Sequence, residues 1–542
     1  MEIKIALAQI NVVVGDLSGN ARKIRETMTA AERQAADIAL FPEMALCAYP
    51  PQDLLLDKAF LSRCRETLEQ LAKATRETLV LVGTVYEEAG KIYNAIAVLQ
   101  HGKVLDIVRK SNLPTYDVFD ELRYFSPGSD PRPVKVSLHG KSCLLGIEIC
   151  EDLWDKRYEV KVSELLAERG ADIILNASAS PFCRGKFRER MELVREKVAK
   201  TGLPFVYVNL VGGQDELIFD GNSIALDKEG KIAAHAAAFR EDLVYCSFHA
   251  GIAKEQLPEA NADENGELRA ALTLGIRDYF VKSGFRDAII GMSGGIDSAL
   301  VAALAVEALG AEHVYGYAMP SKFSSSHSLK DAEVCSRNLG MHYDVLPIAE
   351  LYSQFLETLK KPFAGTSFGL AEENLQARIR GTILMSIANK KNALLLTTGN
   401  KTELALGYCT LYGDMCGALA PISDLNKPEV YRLARYLNES YQYPVIPENS
   451  ISKRPSAELA EDQYDPFDYD ITAPLVDDIL YRHSDIEALM RESGDPELVG
   501  RIYELIRMNE YKRRQSAPGL KCSAKAFGSG RKMPLVNHFK LH

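Results

Sequence analysis

Between an apolar run, Ala288-Ile289-Ile290-Gly291, and an alanine- and leucine-rich stretch from Ala299 to Leu309 stands Met292-Ser293-Gly294-Gly295-Ile296-Asp297-Ser298. The run reads as a buried strand and the stretch as a helix closed by Gly310, so Ser293 to Ser298 is the turn between them. Such a turn aims several backbone N–H groups and the positive end of a helix at one point. Paired glycines let a phosphate approach without a Cβ in the way. The chemistry on offer is polyphosphate binding: Ser293 and Ser298 can donate to phosphate oxygens, and Asp297 can hold the Mg²⁺ that ATP brings. No Lys-Ser or Lys-Thr follows the glycines, so this is not a Walker A loop, and the dinucleotide G-x-G-x-x-G spacing is absent. Alone, a Gly-Gly turn after a strand is most often only a tight turn; two hydroxyls and a carboxylate set this one apart.

Three more chemistry-bearing side chains end apolar segments in the first half. Glu43 follows Ile38 to Pro42, Lys110 follows Val104 to Arg109, and Cys150 ends the run from Cys143. Singly, these are a solvated carboxylate, a surface lysine and a buried inert thiol. Together they put a base, a cation and a nucleophile at strand ends, where α/β folds gather functional groups.

The elements that must position them follow from periodicity. In the first half, strands are expected at Ile3 to Ile10, Ala36 to Phe41, Leu79 to Thr84, Tyr93 to Leu99, Val104 to Lys110, Cys143 to Cys150, Pro204 to Val208 and Asn222 to Leu226. A helix is expected from Ser18, as N-cap, to Ala36, and another from the Pro50-Pro51 turn to about Arg76. The acidic, glycine-bounded, poorly periodic segment 251–266 reads as a linker, which divides the chain into 1–250, 251–266 and 267–542. Beyond it, a helix over Glu267 to Ser283 precedes strands at Ala288 to Gly291, Val314 to Met319, Tyr343 to Ile348 and Leu394 to Thr398, with helices over Ser328 to Leu339 and from Glu373 onward. That alternation implies βαβ units and a parallel sheet, with ligands beyond the carboxyl ends of its strands.

At 542 residues the chain exceeds one ordinary core, and 46% apolar with 25% charged residues is the composition of a globular protein. No apolar stretch approaches a membrane span and Met1 to Ile10 alternates like a strand rather than a signal segment; a cytoplasmic location without membrane attachment is expected. The ten cysteines show no C-x-x-C pair, which argues for reduced thiols and against a zinc site. A net charge of −10 makes nucleic-acid binding an unfavourable reading.

Residues 1 to about 250 resemble the nitrilase, or carbon–nitrogen hydrolase, superfamily. The resemblance rests on Phe41-Pro42-Glu43, Arg109-Lys110-Ser111-Asn112-Leu113-Pro114 and Gly146-Ile147-Glu148-Ile149-Cys150-Glu151-Asp152. It implies a four-layer αββα sandwich and a Glu43-Lys110-Cys150 triad. A thiol with an ordinary pKa of about 8.5 is only a few per cent thiolate at neutral pH; Glu43 would take its proton, Cys150 would attack an amide carbonyl, and Lys110 would stabilise the oxyanion, an effect of ~3 kcal/mol for one good contact. Glu121 is the match for an extra carboxylate that some nitrilases use. In glutamine-using members the resemblance assigns the amino acid to Tyr116, Ser178 and Arg184, whose ordinary readings include a capping serine and a surface arginine. This half is expected to be a glutaminase.

Ser293-Gly294-Gly295-Ile296-Asp297-Ser298 resembles the pyrophosphate loop of N-type ATP pyrophosphatases. With Glu373-Asn374-Leu375-Gln376-Ala377-Arg378, Thr397-Thr398-Gly399-Asn400-Lys401-Thr402-Glu403 and Pro421 to Lys427, it resembles the NAD synthetase family over about 265–540, in its glutamine-dependent form. The resemblance implies a Rossmann-like parallel-sheet domain. ATP would meet Gly291 to Ser298, Thr398 and Lys427; Mg²⁺ would meet Asp297 and Glu403; deamido-NAD would meet Asn374, Glu403 and Lys512. It further implies an adenylated intermediate, L-glutamine as nitrogen source and a homo-oligomer. The fusion of the two halves leads to the expectation of an internal ammonia passage, because free ammonia is mostly protonated at neutral pH. The basic tail, Tyr511 to His542, is either solvated or, as expected here, brings Lys512, Arg513 and Arg514 over substrate phosphates. Asn449 to about Asp470 is expected to be a mobile loop. Two other readings stay open at this point: a different ATP-pyrophosphatase amidotransferase acting on a nucleotide or tRNA, and a first half that is only an assembly scaffold.

Overall fold

The computed structural model describes residues 2–258, 263–460, 463–482 and 485–539. The chain divides into two compact units, Met1–Glu264 and Asn265–His542. Among the described residues of the first, the strands run β1 Glu2–Gln9, β2 Ile38–Leu40, β3 Leu79–Glu88, β4 Lys91–Gln100, β5 Lys103–Arg109, β6 Val134–Leu138, β7 Lys141–Ile149, β8 Ile173–Ser178, β9 Phe205–Asn209, β10 Val211–Gln214, β11 Leu217–Asp220, β12 Ile224–Leu226, β13 Ile232–His235, β14 Asp242–His249 and β15 Ile252–Ala253. One sheet has the order β15-β14-β1-β2-β3-β4-β5 and a second the order β13-β12-β9-β8-β7-β6.

Strand alternation explains how these sheets stack. Ile5 and Leu7 of β1 turn toward Ile147, Leu175 and Val206 of the second sheet in one buried cluster, while Ala6 and Ala8 turn the other way, into a layer built on Ile24, Met28 and Leu68. That outer layer is α1 (Leu17–Arg33) and α2 (Lys58–Ala74). On the far face of the second sheet, α3 (Val162–Glu168) and α4 (Lys186–Thr201) bury Leu166, Val194 and Val198 against Ile174 and Phe205. The result is an αββα sandwich. Each fully buried Leu or Ile in these layers contributes about 1.5–3 kcal/mol.

Three local expectations change. The cap of α1 is Asp16, which accepts from Gly19 N, because the helix starts before Ser18. The helix expected through Arg76 splits at Asp57, whose carboxylate caps α2 after a short 3-10 turn over Gln52–Leu56. The segment 251–266 is not wholly a connector: Ile252–Ala253 pairs with β14, and a helix has begun by Glu264. Residues 259–262 of that segment lie outside the described residues.

The second unit opens with α5 (Glu264–Ser283) and carries a parallel sheet of β16 Ala288–Gly291, β17 Val314–Ala318, β18 His342–Val345 and β19 Leu394–Leu396. Its order is β18-β17-β16-β19. The order reverses between β16 and β19, which opens a crevice at their carboxyl ends. Around it lie α6 (Ile296–Leu309), α7 (Ser326–Leu339), α8 (Ala349–Leu359), α9 (Leu370–Lys391), α10 (Lys401–Leu406) and α11 (Lys427–Ser440). Helix α6 begins at Ile296, earlier than the Ala299 expected, which places Asp297 in its first turn, where a carboxylate is favoured. Helix α7 likewise starts early, capped by Ser325. Among the described residues, no helix is long and apolar enough to cross a membrane.

Candidate active sites

In the first unit Glu43 follows β2 and is fully buried. Its position depends on Gly83 of β3, where a Cβ would stand 2.2 Å from both Met44 N and Pro42 O. The carboxylate is held from three sides: Lys110 Nζ donates to Oε1 at 2.7 Å, Asn94 Nδ2 donates to Oε1 at 2.6 Å, and Ala179 N donates to Oε2 at 2.9 Å. Lys110, just past β5, also donates to Glu121 Oε1 at 2.7 Å, and Tyr49 OH donates to that same oxygen at 3.0 Å. Burial by itself would push Lys110 down; Glu121 and Glu43 outweigh it and hold the ammonium well above the usual lysine range. Burial pushes Glu121 up to about 7, with Lys110 opposing and Glu43 adding.

Cys150 stands where β7 turns into a 3-10 turn, Cys150–Asp152. Its φ of 43° lies in the left-handed region, a conformation that costs a non-glycine residue ~1–2 kcal/mol and marks a turn fixed by its surroundings. Burial and then the Glu43 charge raise its thiol well above the ordinary value, and Lys110 opposes them. Both effects favour the thiol over the thiolate, and the carboxylate charge that acts on it most strongly is that of Glu43.

The three residues assigned to glutamine are placed differently from one another. Tyr116 is 40% exposed and donates to Glu151 Oε1 and Oε2 at 3.1 and 3.0 Å. Ser178 is fully buried, and its hydroxyl donates to Asn176 Oδ1 at 2.7 Å. Arg184 is half-buried in the loop before α4.

In the second unit the loop from Ser293 to Ser298 closes on itself. Ser298 Oγ donates to Gly295 O at 3.0 Å and lies 3.1 Å from Ser293 Oγ, which accepts from Gly295 N at 3.2 Å. Ser298 thus braces the turn from below, while Ser293 stays exposed. Gly294 has φ 77°, and a Cβ there would meet Ser328 O at 2.1 Å, so only glycine lets the loop lie against α7. Gly291, Met292, Ser293, Gly295, Ile296, Asp297, Thr398, Glu403 and Lys427 line one cavity of about 340 Å³. Gly294, Ser298, Asn374 and Lys512 do not line it. Asn374 and Lys512 instead hold the loop after α10: Thr410 Oγ1 donates to Asn374 Oδ1 at 2.6 Å, and Lys512 Nζ donates to Gly407 O and Cys409 O at 2.7 and 2.8 Å.

Asp297 and Glu403 converge on one cation. Lys427 Nζ is ion-paired with Asp297 Oδ2 and lies 3.5 Å from Glu403 Oε1, and Asn400 Nδ2 donates to Asp297 Oδ1 at 3.0 Å. Burial, then the Asp297 charge, pushes Glu403 up to about 8, with Lys427 opposing. Two carboxylates with no third acid, histidine or cysteine clustered beside them among the described residues fit an Mg²⁺ shared with substrate phosphates rather than a cage made by protein alone.

Comparison with known proteins completes the picture. Residues 4–253 match the carbon-nitrogen hydrolase family and residues 268–516 match NAD synthase. The glutamine-dependent NAD(+) synthetase of Synechocystis sp. is 42% identical over 99% of both chains, and that of Aquifex aeolicus is 41% identical over 99% of this chain and all of its own. The chain belongs to the glutamine-dependent NAD(+) synthetases. The structure of such a synthetase from Acinetobacter baumannii, in complex with ADP, superposes over 99% of both chains with a TM-score of 0.80 at 36% identity. A synthetase structure from Cytophaga hutchinsonii, 21% identical, shares the fold with a TM-score of 0.83.

For a synthetase of this family, reading the sequence overlooks several residues that the fold brings to the two sites. Asn94, mid-strand in β4, reaches Glu43 across the sheet, and nothing in its local sequence marks it. Glu151 and Asp152 directly follow Cys150 and are buried acids, a signal available in the sequence that charge alone does not decode. Arg380 lines the cavity, whereas Arg378 is exposed; their spacing on α9 puts them on different sides.

The tail is a correction. Arg513 is buried, and its guanidinium donates to Leu404 O and Ala405 O at 2.9 and 3.1 Å, capping α10 instead of reaching over phosphates. Arg514 turns to Met533 O. In the segment expected to be a mobile loop, Glu458 accepts from Ser325 N, Ser325 Oγ and Ser328 Oγ at 3.1, 2.9 and 2.6 Å. Residues 461–462 of that segment, and 540–542 of the tail, lie outside the described residues.

Proposed function

We propose the following division of labour for the glutamine-dependent synthesis of NAD from deamido-NAD that this chain performs. In the first unit Glu43 takes the proton of Cys150, the thiolate attacks the side-chain amide of L-glutamine, and Lys110 faces the oxygen that becomes negative. The amide nitrogen leaves as ammonia with the proton from Glu43, and water then hydrolyses the thioester to glutamate. Lys110 can serve both intermediates because Glu121 and Glu43 keep it cationic. Tyr116, Ser178 and Arg184 are read as glutamine-binding; an arginine pairs an α-carboxylate through two bonds, and Glu151, beside Tyr116, suits the α-ammonium.

In the second unit the backbone of Ser293 to Ser298 and the start of α6 hold the ATP phosphates, and Thr398 and Lys427 add a hydroxyl and a fixed positive charge. The nicotinate carboxylate of deamido-NAD takes AMP from ATP, pyrophosphate departs, and ammonia displaces AMP to form the amide. Mg²⁺, when bound, neutralises charge on the phosphates, and Asp297 and Glu403 are the residues that would hold it. Glu403 is read as a deamido-NAD contact, and Asn374 and Lys512, which grip the loop after α10, are read as shaping the deamido-NAD site through that loop.

One observation carries this reading: a fully buried Lys110 bonded to two buried carboxylates next to a cysteine in a left-handed turn, an arrangement a scaffold has no need of. NAD formation with glutamine and with ammonium chloride, for the native chain and Cys150→Ala, tests it. Glutamine should support synthesis only in the native chain and ammonium in both; glutamine-driven activity in Cys150→Ala would overturn it. Because free ammonia is mostly protonated at neutral pH, we read the fusion as delivering it within the protein. Entry of added ¹⁵N-ammonium into NAD as readily as the glutamine nitrogen would refute this. A homo-oligomer in the cytoplasm is the working assembly, and a monomeric mass by light scattering at assay concentration would refute it.

A further inference from the structure

Asp152 lies two residues after the nucleophile and is buried. Its two oxygens serve two different segments. Oδ2 accepts from Ile149 N at 3.0 Å, within the turn that carries Cys150. Oδ1 accepts from Asn112 N at 2.8 Å and Ser111 N at 3.1 Å, the two residues that follow Lys110. Cys150 leaves β7 of the second sheet and Lys110 leaves β5 of the first, so this one carboxylate ties the ends of strands in opposing sheets. All three bonds come from backbone N–H donors, so both oxygens act as acceptors. The nucleophile's left-handed turn persists only if its surroundings over-determine it, and the bond to Ile149 N, immediately before Cys150, is one of the restraints that hold it.

We propose that Asp152 is a positioning residue of the glutaminase, setting the Cys150 thiol against the Lys110 ammonium by joining the backbone behind each. The inference rests on the reading of Glu43, Lys110 and Cys150 as the glutaminase triad. It follows that a group of the same size with one acceptor oxygen is insufficient. In Asp152→Asn the amide oxygen can satisfy one segment, but the NH₂ then faces an N–H donor of the other, so one of the two strand ends drifts. Misplacement of this kind weakens an interaction made in the transition state more than it weakens substrate binding.

The experiment uses the full chain, with native, Asp152→Asn, Asp152→Ala and Cys150→Ala proteins compared with glutamine and with ammonium as nitrogen source. The expected result for Asp152→Asn is a fall of tenfold or more in glutamine-driven kcat, a change of less than threefold in KM for glutamine, and ammonium-driven synthesis within twofold of native. Alkylation of Cys150 by iodoacetamide, measured against the Cys150→Ala background, should slow by at least tenfold, and Asp152→Ala should be slower still. Glutamine-driven kcat within twofold of native, or an unchanged alkylation rate, overturns the proposal. So does a parallel loss of both activities, which would mean that Asp152 only holds the fold. If Cys150→Ala itself keeps glutamine-driven activity, the triad reading fails and the Asp152 proposal with it; if Cys150→Ala is inactive and Asp152→Asn is not, only the Asp152 proposal fails.

Discussion

Lys427, at the start of α11, is ion-paired with Asp297 in the first turn of α6, 130 residues earlier in the chain. The same ammonium lies 3.5 Å from Glu403. It therefore compensates Glu403, which burial and the neighbouring Asp297 charge make costly to ionise, and pairs Asp297 at the same time. Lys427→Met should lower the melting temperature, since removing one partner of a buried ion pair costs about 3–5 kcal/mol. Millimolar MgCl₂ should recover part of that loss in the variant, because a cation can replace the ammonium between the acids. Calorimetry with and without MgCl₂ is the check, and a variant as stable as the native chain would contradict it.

Glu121 is expected to give the first site a pH dependence. Its carboxyl, pushed up to about 7, is an anion above that pH and neutral below it. Below about 7 the Glu121 carboxyl gains a proton and accepts less well from Lys110 Nζ and Tyr49 OH, so it holds the ammonium less firmly in place. Glutamine-driven kcat should fall along a limb with a midpoint near 7 as pH drops, and Glu121→Gln should give a lower rate without that limb. A limb that survives unchanged in the variant would assign it to another group.

Gly83 is the narrowest tolerance around Glu43. A Cβ at this position meets backbone on both sides, not the free end of a side chain, so the segment Pro42 to Met44 must move. Gly83→Ala is expected to cost about 1–3 kcal/mol, the usual range for overpacking, and to depress glutamine-driven synthesis at least tenfold while ammonium-driven synthesis is retained. Denaturant unfolding and the two-donor assay measure the two effects.

Arg513 tests the reassignment of the tail. As an internal cap on α10 it serves stability: Arg513→Ala leaves the Leu404 and Ala405 carbonyls and Glu510 without their buried donor, at a cost of about 1–3 kcal/mol. Its effect should be a lower melting temperature with KM for deamido-NAD changed less than fivefold. A large rise in that KM at unchanged stability would restore the phosphate role.

What the sequence by itself determined are features set over short stretches of chain. Alternation in Ile3 to Ile10 fixes which side of β1 faces each layer. Strand followed by glycines followed by an alanine-rich run fixes the turn at Ser293 to Ser298. The contexts around Glu43, Lys110 and Cys150 likewise mark those strand ends, since a strand that stops at a polar group is a local event. Helix boundaries were less legible: Asp16 rather than Ser18 caps α1, and Asp57 interrupts the next helix, because several neighbouring residues can each supply a capping oxygen.

Only the tertiary structure decided which distant groups share a charge or a hydrogen bond. Asn94 on Glu43, Asp152 across two sheets, Lys427 between Asp297 and Glu403, and Arg513 on the end of α10 each join segments separated by tens of residues or more. Whether a buried cation meets a ligand or a carbonyl depends on where the backbone carries it, and no periodicity records that. Arg513 looked like its exposed neighbours in a basic tail; it became a structural residue because the tail folds back onto a helix whose last carbonyls lacked donors.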